Sequence, residues 1–244
     1  FILLFVFTIL FFSSCSNSLE MKLKIATTTS LVSNIVEQIG GNKVDVSNII
    51  PPGQCPGHYD LKPGDIQKLA NADLLLMHGW QGEKFSQKLI ASANHTKLIV
   101  KIIDIKGNWM NPPLQLKAVD EIFAILSKAD AKNSSAYEKS AIDLRGRIAQ
   151  KEAEIKGKLA KVNLSDINVL CSDQQADFLK WVGLNVIAIY GEPDTFTPQV
   201  VKDLIDRGKN GHVTLIVDNL QSGQDAGKGI AKELGAKQIT LSNF

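Results

Sequence analysis

Cysteine, histidine and methionine are scarce: the 244 residues hold three Cys, four His and three Met. Three thiols cannot build a disulfide scaffold. The C-x-x-H pair Cys55/His58 has no second pair at zinc-finger spacing, so spacing alone gives no structural zinc module. The formal charge is only +2, without the basic stripe of a nucleic-acid binder. The apolar opening, Phe1–Phe12, is twelve residues long, short of the ~20 that span a bilayer. "GQDAGKG" (Gly223–Gly229) is one residue too short for a phosphate loop and lacks Ser or Thr after Lys228.

What remains is ordinary globular composition, 44% hydrophobic and 21% charged, enough for one large domain or two small ones. Phe1–Phe12 fits the apolar core of a secretory signal, and Ser13-Ser14-Cys15 follows as a lipobox-like end. Cys15 is the expected lipidation site, with a plain cleaved signal as the alternative; lipidation would tether the folded part outside the cytoplasmic membrane. The chain has no initiator Met and stops at "LSNF", so it reads as a fragment at both ends. The expected divisions are a signal segment at 1–20, an N-terminal lobe at 21–113, a helical connector at 114–163 and a C-terminal lobe, cut short at its end, at 164–244.

The hydrophobic pattern alternates between strand and helix periods. "LKIATTT", "VDVSNII", "ADLLLMH" and "KLIVKIID" read as strands, separated by "SLVSNIVEQIG", Asp65–Ala70 and Phe85–Ala93 as helices. Leu114–Lys128 is an amphipathic helix. Ala141, Leu144, Ile148, Ile155, Leu159 and Val162 then mark one long helix near 28 residues, laced by Asp143–Arg147, Glu152–Lys156 and Glu154–Lys158 pairs. A second alternating block runs from "INVLCSD" to "KQITLSNF". The fold class is α/β: two lobes, each a mainly parallel sheet flanked by helices, joined by one rigid helix. Such a rod restricts closure to small tilts.

In open parallel sheets, ligands sit beyond the carboxyl ends of the strands. Cys55, His58, Cys171, Asp173, Glu192 and Asp218 all fall there. Imidazole, thiolate and carboxylate together suit zinc and softer transition metals. The plainer reading makes His58 a loop residue and Cys171 a buried filler. Pro51-Pro52, Gly53 and Gly57 stiffen and shape the loop that carries Cys55 and His58. A Cys171–His58 nucleophile–base pair is the enzymatic alternative, without any oxyanion or nucleophile-elbow motif to support it. A purely structural or adhesive lipoprotein is another class.

The ordered series "KIATTTSLVSNIVEQIGGNKVDVSNIIPPGQCPGHYDLKPGDIQKLANADLLLMHG", "AKNSSAYEKSAIDL", "VGLNVIAIYG", "TPQVVKDLID" and "IAKELGAK" resembles the metal-binding receptors of bacterial ABC importers, the TroA-like zinc and manganese lipoproteins. The resemblance covers about residues 23 to 244. It implies a monomeric, non-enzymatic receptor. It would capture a divalent transition metal, zinc first and manganese next, and serve a permease with its ATPase. His58 matches the family's first metal-binding His; Pro113, Ser172 and Ser242 stand at or near the other three ligand positions. The site is therefore expected to be rebuilt from Cys55, His58, Cys171, Asp173 and Asp218. Alternatively the cleft takes a chelated metal or another small solute, lined by Trp80, Tyr59 and Gln54. A Cys55–Cys171 disulfide is a third option.

Overall fold

In a computed structural model, residues 21–54, 56–79, 83–93 and 95–243 are described, with the backbone alone at His58 and at 83–87. The signal segment, Cys15, Cys55 and Trp80 lie outside the described residues.

The first lobe comprises β1 (Leu23–Thr27), α1 (Ser30–Gly40), β2 (Val44–Asn48), α2 (Pro63–Ala70), β3 (Leu74–His78), α3 (Glu83–Ala93) and β4 (Ile99–Ile103). Its sheet is wholly parallel, in the order β2-β1-β3-β4. Strand alternation divides the core: Ile25, Leu74 and Leu76 face one apolar layer, Ala26, Leu75 and Met77 the other. All of β3 is buried, as a central parallel strand must be.

Two helices follow, α4 (Pro112–Ala129) and α5 (Ser134–Leu159). Prolines occupy the first turn of α4, where a missing N–H costs nothing, so the helix starts earlier than the apolar pattern alone predicts. The 26 residues of α5 give a rod of roughly 39 Å at 1.5 Å per residue. Only its first half buries a stripe, Tyr137, Ala141, Leu144 and Ile148, against α1 and α4. The second half runs past that lobe, and Lys156 lies over the Trp181 ring of the second lobe, 5.8 Å from its centroid. Glu152–Lys156 and Glu154–Lys158 pair at 2.6 Å as expected, and Arg145 reaches Asp120 on α4 at 2.6 Å.

The second lobe repeats the plan with β5 (Asn168–Ser172), α6 (Asp173–Val182), β6 (Asn185–Tyr190), α7 (Pro198–Asn210), β7 (Leu215–Asn219), α8 (Leu220–Gly223), α9 (Lys228–Leu234) and β8 (Lys237–Leu241). The order β6-β5-β7-β8 is again all parallel. In both sheets the winding reverses between the first and third strands of the lobe, so the crevices fall at β1/β3 and β5/β7. Among the described residues no helix is long and apolar enough to cross a membrane.

Leu126, fully buried where α4 meets the long rod, anchors this helical layer. Leu126→Ala is expected to lower stability by about 2–5 kcal/mol in urea unfolding. A loss below about 1 kcal/mol would show that α4 is not part of the cooperative core.

Candidate functional site at the lobe junction

The two reversal points meet. A crevice of about 250 Å³ lies between the lobes, lined by Leu31, His78, Trp109 and Asn108 from the first and by Asp173, Asp177 and Asn243 from the second, with Lys106 at its rim. His78 ends β3, and its backbone N–H donates to the Thr28 hydroxyl at 3.1 Å, which locks the ends of β1 and β3 together. The Trp109 ring packs on the imidazole, 4.1 Å between centroids, while its indole N–H donates to the Ile105 carbonyl at 2.9 Å. Burial depresses the His78 pKa to about 3, so the floor of the crevice is aromatic and uncharged.

Side-chain amides form the junction. Asn108 Nδ2 donates to the Gln174 carbonyl at 2.9 Å and to Gln175 Oε1 at 3.2 Å, and Asn108 Oδ1 accepts from Met110 N–H at 2.8 Å. Gln175, fully buried, passes its own protons to Asn219 Oδ1 at 3.0 Å and to the Leu241 carbonyl at 3.2 Å. Gln221 then holds Ser242 and the Asn243 backbone, at 2.7 and 3.2 Å. The chain of amides therefore runs from the loop after β4, across the boundary, to the ends of β7 and β8. Gly107 lies beside Asp177 of the second lobe, and its φ of +100° is a backbone conformation that favours glycine.

The residues expected to be ligands separate into two groups. Asp173 lines the crevice, at the first position of α6. Cys171 does not line it: its fully buried side chain packs with Val169, Ala176, Leu179 and Val217, and burial pushes its thiol up to about 12. The reason is strand alternation, which turns Cys171 to the same side as Val169. It is a free thiol, so the Cys55–Cys171 disulfide does not form, and a thiol so shifted is no nucleophile at neutral pH. Asp218 is likewise turned inward, accepting from the Tyr190 hydroxyl at 2.6 Å, from Gly227 N–H at 2.7 Å and from Gln238. That carboxylate knits the second lobe together. His58 sits in a single 3-10 turn, Pro56–His58, beyond β2, and Cys55 lies outside the described residues. Tyr59 braces this loop: its hydroxyl donates to Asp65 at 2.7 Å. Burial alone would raise the Asp65 carboxyl, but bonds from Tyr59, the Lys62 N–H and Lys68 outweigh it and lower its pKa. Gln54 is exposed on the same loop.

The three positions where the family resemblance finds no ligand have other duties. Pro113 lies in the first turn of α4. Ser172 caps α6, its hydroxyl accepting from Gln174 N–H at 3.3 Å. Ser242 accepts from Gln221. Among the described residues no group of three His, Cys, Asp or Glu side chains is placed to hold a metal ion. Gln175 and Asn219 fall in strand-end segments expected to face the cleft but carry no metal-ligand chemistry to single them out, and Asn108 and Asn243 lie outside those segments; position after a strand end is the signal that finds them.

The family model for ZnuA, the zinc-uptake complex component A, periplasmic, matches residues 25–244. The chain belongs to this family. Its relatives include the manganese ABC transporter substrate-binding lipoprotein PsaA of Streptococcus mitis, 24% identical over 218 residues, covering 76% of this chain and 68% of PsaA. The manganese-binding lipoprotein MntA of Bacillus subtilis is 27% identical over 195 residues, covering 73% of this chain and 64% of MntA. The matches thus span about two thirds of the relatives' length. Among solved structures, the substrate-binding protein FpvC of Pseudomonas aeruginosa with Ni2+ superposes with a TM-score of 0.78 at 24% identity, covering 91% of this chain and 87% of that one. The family is therefore one of metal-binding substrate-binding proteins of ABC transporters, not of enzymes, and the two-lobed fold agrees with it.

Acidification tests the buried imidazole. An unfolded His titrates near 6.5 and the folded one at about 3, so only the unfolded state takes up the proton between these values. Stability from this group is complete above pH 6.5 and declines toward pH 3 by at most about 1.4 kcal/mol per pH unit. His78→Asn should flatten that slope in urea titrations between pH 7 and 4; an unchanged slope would mean that the imidazole is hydrated. The Cys171 thiol should resist iodoacetamide in the native protein, by mass mapping of its peptide, and react once urea unfolds the lobe. Labelling of the native thiol would contradict its burial.

Proposed function

We propose that this chain is the extracytoplasmic solute receptor of an ABC importer. It captures a divalent transition metal, zinc first and manganese next, between its lobes and delivers it to a membrane permease driven by its ATPase. The observation that carries this reading is the crevice itself. Two parallel sheets present their carboxyl ends to one another there, and amides fix the distance between them. The donors would come from the stiff loop, Cys55 and His58, and from Asp173 across the junction. A thiolate–imidazole–carboxylate set favours zinc over manganese. Cys171 and Asp218 act instead as core packing and as the hub of the second lobe. A rim held by hydrogen bonds and a long rod suits small tilts on loading rather than wide closure. Lipidation at Cys15 would keep this monomeric receptor beside its permease.

Elemental analysis of purified, unstripped protein checks this. One transition-metal ion per chain is expected, lost in His58→Ala and in Cys55→Ser and reduced in Asp173→Asn. A metal-free wild type after growth in zinc- and manganese-replete medium would overturn the reading.

A further inference from the structure

The first lobe reaches into the second with a side chain prepared for the task. Asn108 is buried, and the loop around it fixes its carboxamide: Oδ1 accepts from Met110 N–H at 2.8 Å, and its backbone carbonyl accepts from Asn111 N–H at 3.0 Å. Nδ2 is thereby turned across the boundary. It meets two acceptors there, the Gln174 carbonyl at 2.9 Å and Gln175 Oε1 at 3.2 Å. Gln175 is as fully committed. Its Nε2 donates to Asn219 Oδ1 at 3.0 Å and to the Leu241 carbonyl at 3.2 Å, which leaves Oε1 to face Asn108.

Neither carboxamide can turn over, because that would set oxygen against oxygen and nitrogen against nitrogen. Every group in the contact belongs to the protein, so it needs no cargo to form. Gln174 directly follows Asp173, the carboxylate that lines the crevice, so the same bonds fix where that carboxylate stands relative to the first lobe. The tie from the rod is weaker: the largely exposed Lys156 lies 5.8 Å from the Trp181 ring centroid.

We propose that the Asn108–Gln175 amide pair is a latch. It holds the lobes together in the empty receptor, so the crevice is formed before cargo arrives, and unloading at the permease requires the pair to part. This rests on the receptor reading and adds how its crevice is opened. On parting, water meets the freed groups, so each bond contributes only its modest net amount. Losing both bonds of Asn108 shifts the closed-to-open ratio about fivefold to a hundredfold.

Asn108→Asp keeps the shape but sets an oxygen against both acceptors, and Gln175→Glu does the same toward Asn219 and Leu241. Asn42→Asp, on the exposed turn after α1, is the charge control. Full-chain, metal-free protein carries two dyes through azide-bearing residues at the exposed Lys117 of α4, which packs on the first lobe, and Lys209 of α7 in the second. Single-molecule energy transfer should show one narrow distance in the wild type and in Asn42→Asp, unmoved by one equivalent of Zn(II). Asn108→Asp and Gln175→Glu should each raise a longer-distance population at least fivefold. A Cys171 thiol that still resists iodoacetamide shows that the second lobe is folded; Asn108→Ala, which removes the donors without adding charge, replaces any variant in which it reacts. A wild type spread between two distances or drawn inward by Zn(II), or an Asn108→Asp protein with the wild-type distribution, overturns the latch and leaves metal capture standing. A chelator should draw zinc from loaded Asn108→Asp at least fivefold faster than from wild type; equal rates overturn unloading through this pair. If the wild type takes up no zinc, the metal reading falls and the distances still decide the latch.

Discussion

Asn108 donates from the first lobe to the Gln174 carbonyl and the Gln175 side chain of the second, and the shape of the crevice follows from those two bonds. An amide so placed is fully used: its oxygen accepts from Met110, and its nitrogen is shared across the boundary. Breaking the link would leave buried donors and acceptors unmet on both sides, at about 1–3 kcal/mol for each. The long rod of α5 sets how far apart the lobes can drift, but this amide sets where they touch. Gly107 adjoins Asp177 at this contact, with a backbone φ of +100° that favours glycine.

The site on this frame is unusual for its lack of charge. The floor is an indole packed on a neutral imidazole, the wall is amide, and charge appears only at the rim. Bare cations are held by charged or thiolate donors in converging sets. Beyond β2, the segment after the turn that ends at His58 is tied to α2 by the Tyr59 hydroxyl, which donates to Asp65.

Much of the fold was legible because repetition carries it. Short apolar runs marked β1, β3 and β5, and three-four spacing marked α5 to within a few residues. α2 and α4 each begin two residues before the expected Asp65 and Leu114, because their prolines are welcome in a helix's first turn. The four-residue α8 has no period to detect. The site was legible as a place but not as a set of side chains. Strand ends are readable; the direction of each residue there is not. Cys171 and Ser172 are neighbours, yet one is core and the other a helix cap. Asp218 turned inward because Tyr190, 28 residues earlier, offers a buried hydroxyl, a pairing that local pattern cannot reveal. Asn and Gln leave no periodic trace, so the amides that join the lobes were not singled out.

One property of that seam reaches beyond its geometry. Amides neither gain nor lose protons at any acidity a folded protein meets. The hydrogen bonds that join the lobes are thus blind to pH, while the His78 imidazole beside them is not.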